Sequence, residues 1–566
     1  MNTPLLESAV LQQSVTTQAS CWVRVLHQPQ SITLETDAGT YHTTAARAAS
    51  GEHAGVQVMV KEWRERRGSS QITIASPDTG LKSVHLRWNF PVPCTDLRIL
   101  GDAWERGYGD LHWGAIQPER VLPWYFMVTD SLSRSNTHGV GVRTQPDALC
   151  WWRVDPQGVS LWLDVRNGGS GVLLGERVLH AAEIVVMSAE EDATPFEAAC
   201  AFCRALCENP RLPDHIVYGS NNWYYAYGDI STASVREDGY LISELTQGLA
   251  NRPYMVIDDG WQKNARPGQF PLGGPWTEGN CRFPDMPGLA KELKEMGTRP
   301  GLWNRPLGAN SDDAESLLLP GCRAMESSAQ LKVLDPSIPE VLDRVEREFR
   351  IQQGWGYELL KHDWTTHDIF GRWGIAMTGV LTGKNWHFYD RSRTTAEIIL
   401  NLYRAIRRGS GEAVIIGCNT IGHLSAGLFE LQRTGDDTSG RNWERTRRMG
   451  INTLAFRMPQ HNAFFAVDAD CAGITRNVPW ELSARWLDLL SRSGTPLFVS
   501  ADPKAVGRVQ RRALTEAFAQ ASCSQTIAEP LDWLDTVSPT HWRTGTGDVK
   551  YEWIGKNGIE VAGDCP

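Results

Sequence analysis

The chain has 566 residues, of which 41% are hydrophobic and 22% charged, and its net charge is −10. That length exceeds one ordinary core and predicts two or three domains. No apolar run nears the roughly 18 residues of a membrane span, and the Lys and Arg residues are scattered, so neither a membrane nor a nucleic acid is an expected partner.

Residues 1–20, MNTPLLESAVLQQSVTTQAS, lack a basic stretch followed by an apolar one, so the expected location is the cytoplasm. The next stretch, over about 22–186, reads as short alternating strands such as QITIAS, SVHLRWNF and GVSLWLDVRN, separated by turns rich in Gly, Pro, Asp and Asn. This predicts a β-sandwich over 1–194. A linking helix is expected over 195–212. Within it Cys200, Cys203 and Cys207 have helical spacing in an apolar segment, which suits a buried helix face better than a zinc site.

From 213 to 522 the rhythm changes to strand, loop, helix, repeated, the pattern of parallel strands with crossover helices. Short apolar strands are expected at 216–218, 254–257, 301–303, 357–360, 413–417, 428–431, 463–467 and 497–500, with 453–456 as a possible substitute. Eight of them predict a (β/α)8 barrel, a fold of the α/β class. Residues 523–566 return to strand and turn language and predict a small β appendage. The 23 tryptophans suit a sugar-stacking surface and a sandwich core equally.

In such a barrel the residues just after each strand line the site. Here they read SNNWYYAYGD, DDGW, WNRP, KHDW, GCNT, QRTGDDTSG, DADC and SAD. In YELLKHDW, Lys361 and Asp363 are two apart on an extended strand end, so both face one side and the ammonium can hold the carboxylate ionised, as a nucleophile requires. In LQRTGDDTSG, Asp436 and Asp437 are adjacent, and repulsion between like charges raises one pKa, as a general acid requires. Two carboxylates flanking a glycosidic bond can cleave it. A gap of about 5 to 5.5 Å implies retention, and about 6.5 to 9.5 Å implies inversion.

This ordered set resembles the α-galactosidase clan of glycoside hydrolases, families 27 and 36, and family 36 more closely, with the N-terminal sandwich included. The resemblance implies that Asp363 is the nucleophile, and that Trp223 and Trp303 face the sugar. It implies that Asp258 and Asp259 grip the 4- and 6-hydroxyls, with Lys361 beside them. The register Arg-x-Gly-x-Asp-Thr places Arg433 with Asp437 as acid/base, while a shorter register selects Asp436. Two departures stand out. CNTIGH replaces the usual Cys-Ser-Gly-Gly run, so that Cys418 and Asn419 shape the pocket for the 2-position. Arg305, after Asn304, brings a cation that suits an anionic group.

The expected activity is that of a retaining, exo-acting α-glycosidase on a terminal galactose-configured sugar, without metal or cofactor. Alternatives are the same chemistry on an N-acetylgalactosaminide, L-arabinopyranoside or uronide, a transglycosylase similar to raffinose synthase, and a non-catalytic carbohydrate-binding protein. The sequence leaves homo-oligomerisation open. It also marks GDAWERGYGDLHWG as unusually polar and aromatic, with Asp102 and Trp104 as candidates to reach over the barrel mouth.

Overall fold

The computed structural model describes residues 26–555 and 558, apart from 27, 45–49, 54, 63–68, 92, 132–133, 135, 191, 267–272, 324–331 and 556–557. The chain divides into two compact units. The first comprises residues 1–103, 113–208 and 384–398, and the second 104–112, 209–383 and 399–566.

The first unit is the expected sandwich of antiparallel sheets, one of six strands and one of eight among the described residues. Period-two burial runs through its strands, as in Ser69–Ser76, because alternate side chains face the core. In Leu81–Asn89 the inward row is Val84, Leu86 and Trp88, all fully buried. Trp152 of one sheet meets Phe126 of the other edge to face, with ring centroids 5.8 Å apart.

Two boundaries differ from the sequence reading. The helix Pro195–Leu206, expected to lead away from the sandwich, packs on the strand His138–Val142. Gly139 makes this possible, since a Cβ there would lie 2.3 Å from the Phe202 ring. Cys200, Cys203 and Cys207 are buried in or just beyond this helix, as its spacing predicted. Residues 384–398, expected in the barrel, belong to the sandwich unit. The buried Asn167 holds them there: its amide donates to the carbonyls of Asp390 and Arg393, both at 2.7 Å, and accepts from Phe388 N at 2.9 Å.

The second unit contains the barrel. Its strands are β1 (Tyr218–Asn221), β2 (Tyr254–Ile257), β3 (Arg299–Asn304), β4 (Leu359–His362), β5 (Val414–Gly417), β6 (Leu431–Arg433), β7 (Ala466–Asp468), β8 (Ala472–Ile474) and β9 (Leu497–Ala501). All pair in parallel, with β7 beside β6 at one end of the order and β8 beside β9 at the other. Only residues 469–471 separate β7 from β8, so these two form one interrupted seventh strand and the sheet closes on itself. Each expected strand is present within a few residues. The substitute at 453–456 is helical, as Thr453–Arg457, and wholly buried. The expected appendage is a three-stranded sheet of Glu529–Pro530, His541–Thr544 and Gly547–Lys550.

Candidate active site

The barrel core determines which residues reach its mouth. Val217, Tyr254, Val256, Leu359, Val414, Ile416, Leu431, Ala466 and Phe498 form one buried cluster, the inward row of the strands. Side chains on a strand alternate with period two, so the row continues upward from these residues. Val256 leads to Asp258, Leu359 to Lys361 and Asp363, Ile416 to Cys418, Leu431 to Arg433, and Ala466 to Asp468. The apolar packing that closes the barrel thus aims this polar set at the strands' C-terminal end.

Lys361 does not pair with Asp363 as the sequence spacing suggested. Its ammonium lies 2.6 Å from Asp258 Oδ2, and both side chains are buried. Asn221 Nδ2 donates to the same oxygen at 2.7 Å, while Asn221 Oδ1 accepts from Trp223 N at 2.9 Å. Asn222 Oδ1 accepts from Asp258 N at 3.0 Å. Burial disfavours the Lys361 ammonium, yet Asp258, and with it Cys418 and Asp363, pushes its pKa up overall. Asp259 receives Gln262 Nε2 at 2.7 Å, and burial outweighs that bond and pushes its carboxyl up to about 7.

Asp363 is held instead by two N–H donors. Trp364 N donates to Oδ1 at 2.7 Å, and the Trp303 indole to Oδ2 at 3.3 Å. Trp303 is only 2% exposed and is packed against Trp276, and its indole N–H orients the carboxylate. Trp223 remains half-buried, with its ring 5.6 Å from that of Tyr227. It keeps the surface that a sugar wall needs.

Arginines surround Asp436 and Asp437. Arg106 reaches Asp436 Oδ1 at 3.1 Å and Asp437 Oδ1 at 3.5 Å. Arg445 takes the other oxygen of Asp436 at 2.6 Å, and Arg433 lies 3.3 Å from Asp437. Repulsion from Asp436 therefore does not set the ionisation of Asp437. Enclosure by protein pushes the Asp437 carboxyl up, but Arg433, Arg106, Lys361 and Arg445 outweigh it and hold it at about 2. Asp470 fixes Arg433 at 2.8 Å and accepts from Thr438 N at 2.8 Å, Thr438 Oγ1 at 3.0 Å and the Tyr224 hydroxyl. Asp470 is thus filled by protein donors.

Arg106 comes from the stretch singled out in the sequence, although the residues named there were Asp102 and Trp104. Residues 104–112 pack in the barrel unit: Gly107 N donates to Thr434 O at 2.7 Å and Asp436 N to Gly107 O at 2.9 Å. Trp104 is buried and donates to Thr378 O at 3.1 Å. Glu105 is buried too, accepting from the Tyr108 hydroxyl at 2.6 Å and from the Asn419 amide, and burial pushes its carboxyl up. The charges of ERGYGD were the signal for this insertion.

Two expected roles change. Arg305 is 1% exposed and bound bidentately to Asp368, at 3.1 and 2.6 Å, with its guanidinium 4.8 Å from the Trp364 ring centroid. Its charge is neutralised inside the protein and does not await an anionic sugar group. Asn419 holds the loop after β5, since its amide donates to Glu105 and its side-chain oxygen accepts from His367 N at 3.0 Å. Cys418 stays central: Arg433 Nη1 lies 3.6 Å from its sulfur, and burial, with Asp363 adding to it, pushes the thiol's pKa up. Two cavities of about 740 and 470 Å³ are lined by none of the carboxylates named here.

No protein-family model matches the chain. Its fold is that of solved α-galactosidases. The α-galactosidase of Thermus thermophilus, in complex with p-nitrophenyl α-D-galactopyranoside, aligns over 88% of this chain and 97% of that one, at 19% identity and a TM-score of 0.61. The family 36 α-galactosidase AgaA of Geobacillus stearothermophilus aligns over 87% of this chain and 75% of its own, at 13% identity and a TM-score of 0.57. For the α-galactosidase of Lactobacillus brevis the figures are 88%, 73%, 14% and 0.53. At these identities the likeness is one of architecture, barrel and sandwich together.

Proposed function

We propose that the protein is a retaining exo-acting α-glycosidase, similar to α-galactosidases, that removes a terminal galactose-configured sugar by double displacement. Asp363 attacks the anomeric carbon. Asp437, ionised in the free protein, takes up a proton as the bound glycoside displaces water from around it, protonates the departing oxygen, and later takes the proton of the incoming water. Asp258, Asp259 and Lys361 hold the sugar's hydroxyls, with Trp223 as an apolar wall. The cytoplasm is the proposed location.

One observation carries this reading: the inward row of β4 delivers Lys361 and Asp363 to the strand ends where β6 delivers Arg433, and Lys361 lies close enough to feel the charge of Asp363 and to lower the pKa of Asp437. Asp437 is favoured over Asp436 as acid/base by access, since its side chain is 36% exposed and that of Asp436, gripped by Arg106 and Arg445, 16%. The fold of the solved α-galactosidases supports the choice of glycon. The engagement of Arg305 by Asp368 speaks against a uronide.

Hydrolysis of a chromogenic panel tests the reading: α-galactoside, α-N-acetylgalactosaminide, β-L-arabinoside and α-galacturonide. Turnover of the α-galactoside with an α-configured first product is the expected result. A β-configured first product excludes double displacement, and inactivity across the panel excludes the proposed class of substrate. Running the assay with and without an acceptor sugar separates hydrolysis from transfer.

A further inference from the structure

In an acid-assisted displacement the leaving group projects from the bond between nucleophile and acid, toward the acid. Side chains that touch the surroundings of both carboxylates on an accessible side therefore meet it. Trp364 starts at the nucleophile candidate, with its N–H on Asp363 Oδ1 at 2.7 Å. Its φ of 68° is left-handed, a conformation that is unfavourable for a bulky residue and persists only where surrounding contacts enforce it. Its ring centroid lies 5.1 Å from that of Trp373. Trp373 in turn lies 5.7 Å from the guanidinium of Arg106, the group that reaches Asp436 and Asp437. This aromatic pair runs from one carboxylate to the surroundings of the other.

Access distinguishes these two indoles from their neighbours. Trp261, Trp276 and Trp303 are at most 2% exposed, whereas Trp364 and Trp373 are half-buried. In the turn Gly374–Ala376, which directly follows Trp373, Ile375 is 79% exposed. That turn is fixed: Gly374 N donates to Glu105 Oε1 at 3.1 Å, and Gly374, with φ 61°, fits where a Cβ would lie 2.7 Å from the Tyr108 ring.

We infer that Trp364, Trp373 and Ile375 form the leaving-group subsite, and that it selects leaving groups with a broad apolar face, a pyranose or an aryl ring, over small alkyl groups. The inference rests on the roles proposed above for Asp363 and Asp437. Indole surfaces of this kind gain from flat, C–H-rich or aromatic partners and gain little from a methyl group.

The test is equilibrium binding to the full chain carrying Asp363→Asn, with and without Trp373→Ala. The ligands are galactose, methyl α-galactoside, p-nitrophenyl α-galactoside and 6-O-α-galactosyl-glucose. Expected is about tenfold tighter binding of the two ring-bearing ligands than of the methyl glycoside, about 1.4 kcal/mol, with the ratio falling toward one in the Trp373→Ala protein. A gain for the disaccharide identifies a sugar ring as the preferred partner, and a gain for the nitrophenyl compound alone identifies an aryl group. Ile375→Ser, at the surface, is expected to lower the same ratio about twofold. Equal affinities for all galactosides in the parent, or a ratio unchanged by Trp373→Ala, overturn the subsite and leave the glycosidase reading standing. Absence of galactose binding together with absence of turnover by the unaltered chain refutes the glycosidase reading itself, and the subsite with it.

Discussion

Lys361 forms its ion pair with Asp258, 2.6 Å away at the end of β2, and not with Asp363 two residues along its own strand. In a barrel, inward side chains of alternate strands share a layer, which brings β2 and β4 together above the core. The pair is enclosed, so its value depends on both members being present. Lys361→Met leaves Asp258 as a buried charge without its partner, and breaking such a pair costs about 3–5 kcal/mol. A lowered melting temperature together with a raised KM is the expected outcome. A variant as stable as the parent would show that Asp258 finds another cation.

Asp363→Ala should reduce turnover at least about a thousandfold, the scale on which loss of a nucleophile acts. Azide should restore it and yield a glycosyl azide, since a small anion can occupy the space of the missing carboxylate. Recovery is read by mass spectrometry of the product. Full activity in the alanine protein removes the nucleophile assignment.

Arg106→Gln should change the pH profile of the reaction. Asp437 faces Arg433, Arg106, Lys361 and Arg445, with Tyr224, Asp436 and Asp470 nearby, and the cations hold its carboxyl at about 2. Removing a cation lets that pKa rise, so the protonated acid persists to higher pH. The basic limb of kcat/KM therefore moves upward. A limb that stays in place while kcat falls would assign Arg106 a structural role only.

The two acids of the β6 loop should separate by mutation. Asp437→Asn is expected to lower kcat most for substrates with poor leaving groups, because those need protonation, and least for nitrophenyl glycosides. Asp436→Asn removes a partner of Arg106 and Arg445. Its effect should be similar across leaving groups, and the reverse pattern would exchange the two roles.

Asp368→Ala should destabilise the protein by about 3–5 kcal/mol, because Arg305 is then buried without its counter-ion. The double change Arg305→Met with Asp368→Leu should recover most of the loss in thermal unfolding. Loss in the double variant equal to that in the single one would place the cost in packing instead of charge.

The barrel and its strand ends were legible because short apolar strands, each followed by polar residues, repeat along the chain with a rhythm that one sheet architecture produces. Period two then named the side of each strand that carries chemistry. The same rule placed Lys361 and Asp363 on one face and suggested that they pair, whereas Lys361 pairs with Asp258. Spacing along a strand gives direction, whereas partnership depends on what the neighbouring strands bring to the same layer.

By itself, then, the sequence determined the two kinds of fold, the closing order of the barrel strands, and the ordered set Asp258, Asp259, Lys361, Asp363, Arg433, Asp436 and Asp437, since all of these follow from local periodicity and motif. Only the tertiary structure decided the company of that set. Arg106 arrives from more than three hundred positions away to meet Asp436 and Asp437, Asp368 neutralises Arg305, and Trp303 orients Asp363. Electrostatic interactions fall off with distance through space and take no account of separation along the chain, so which of these charges remain available to a ligand was settled when the barrel closed.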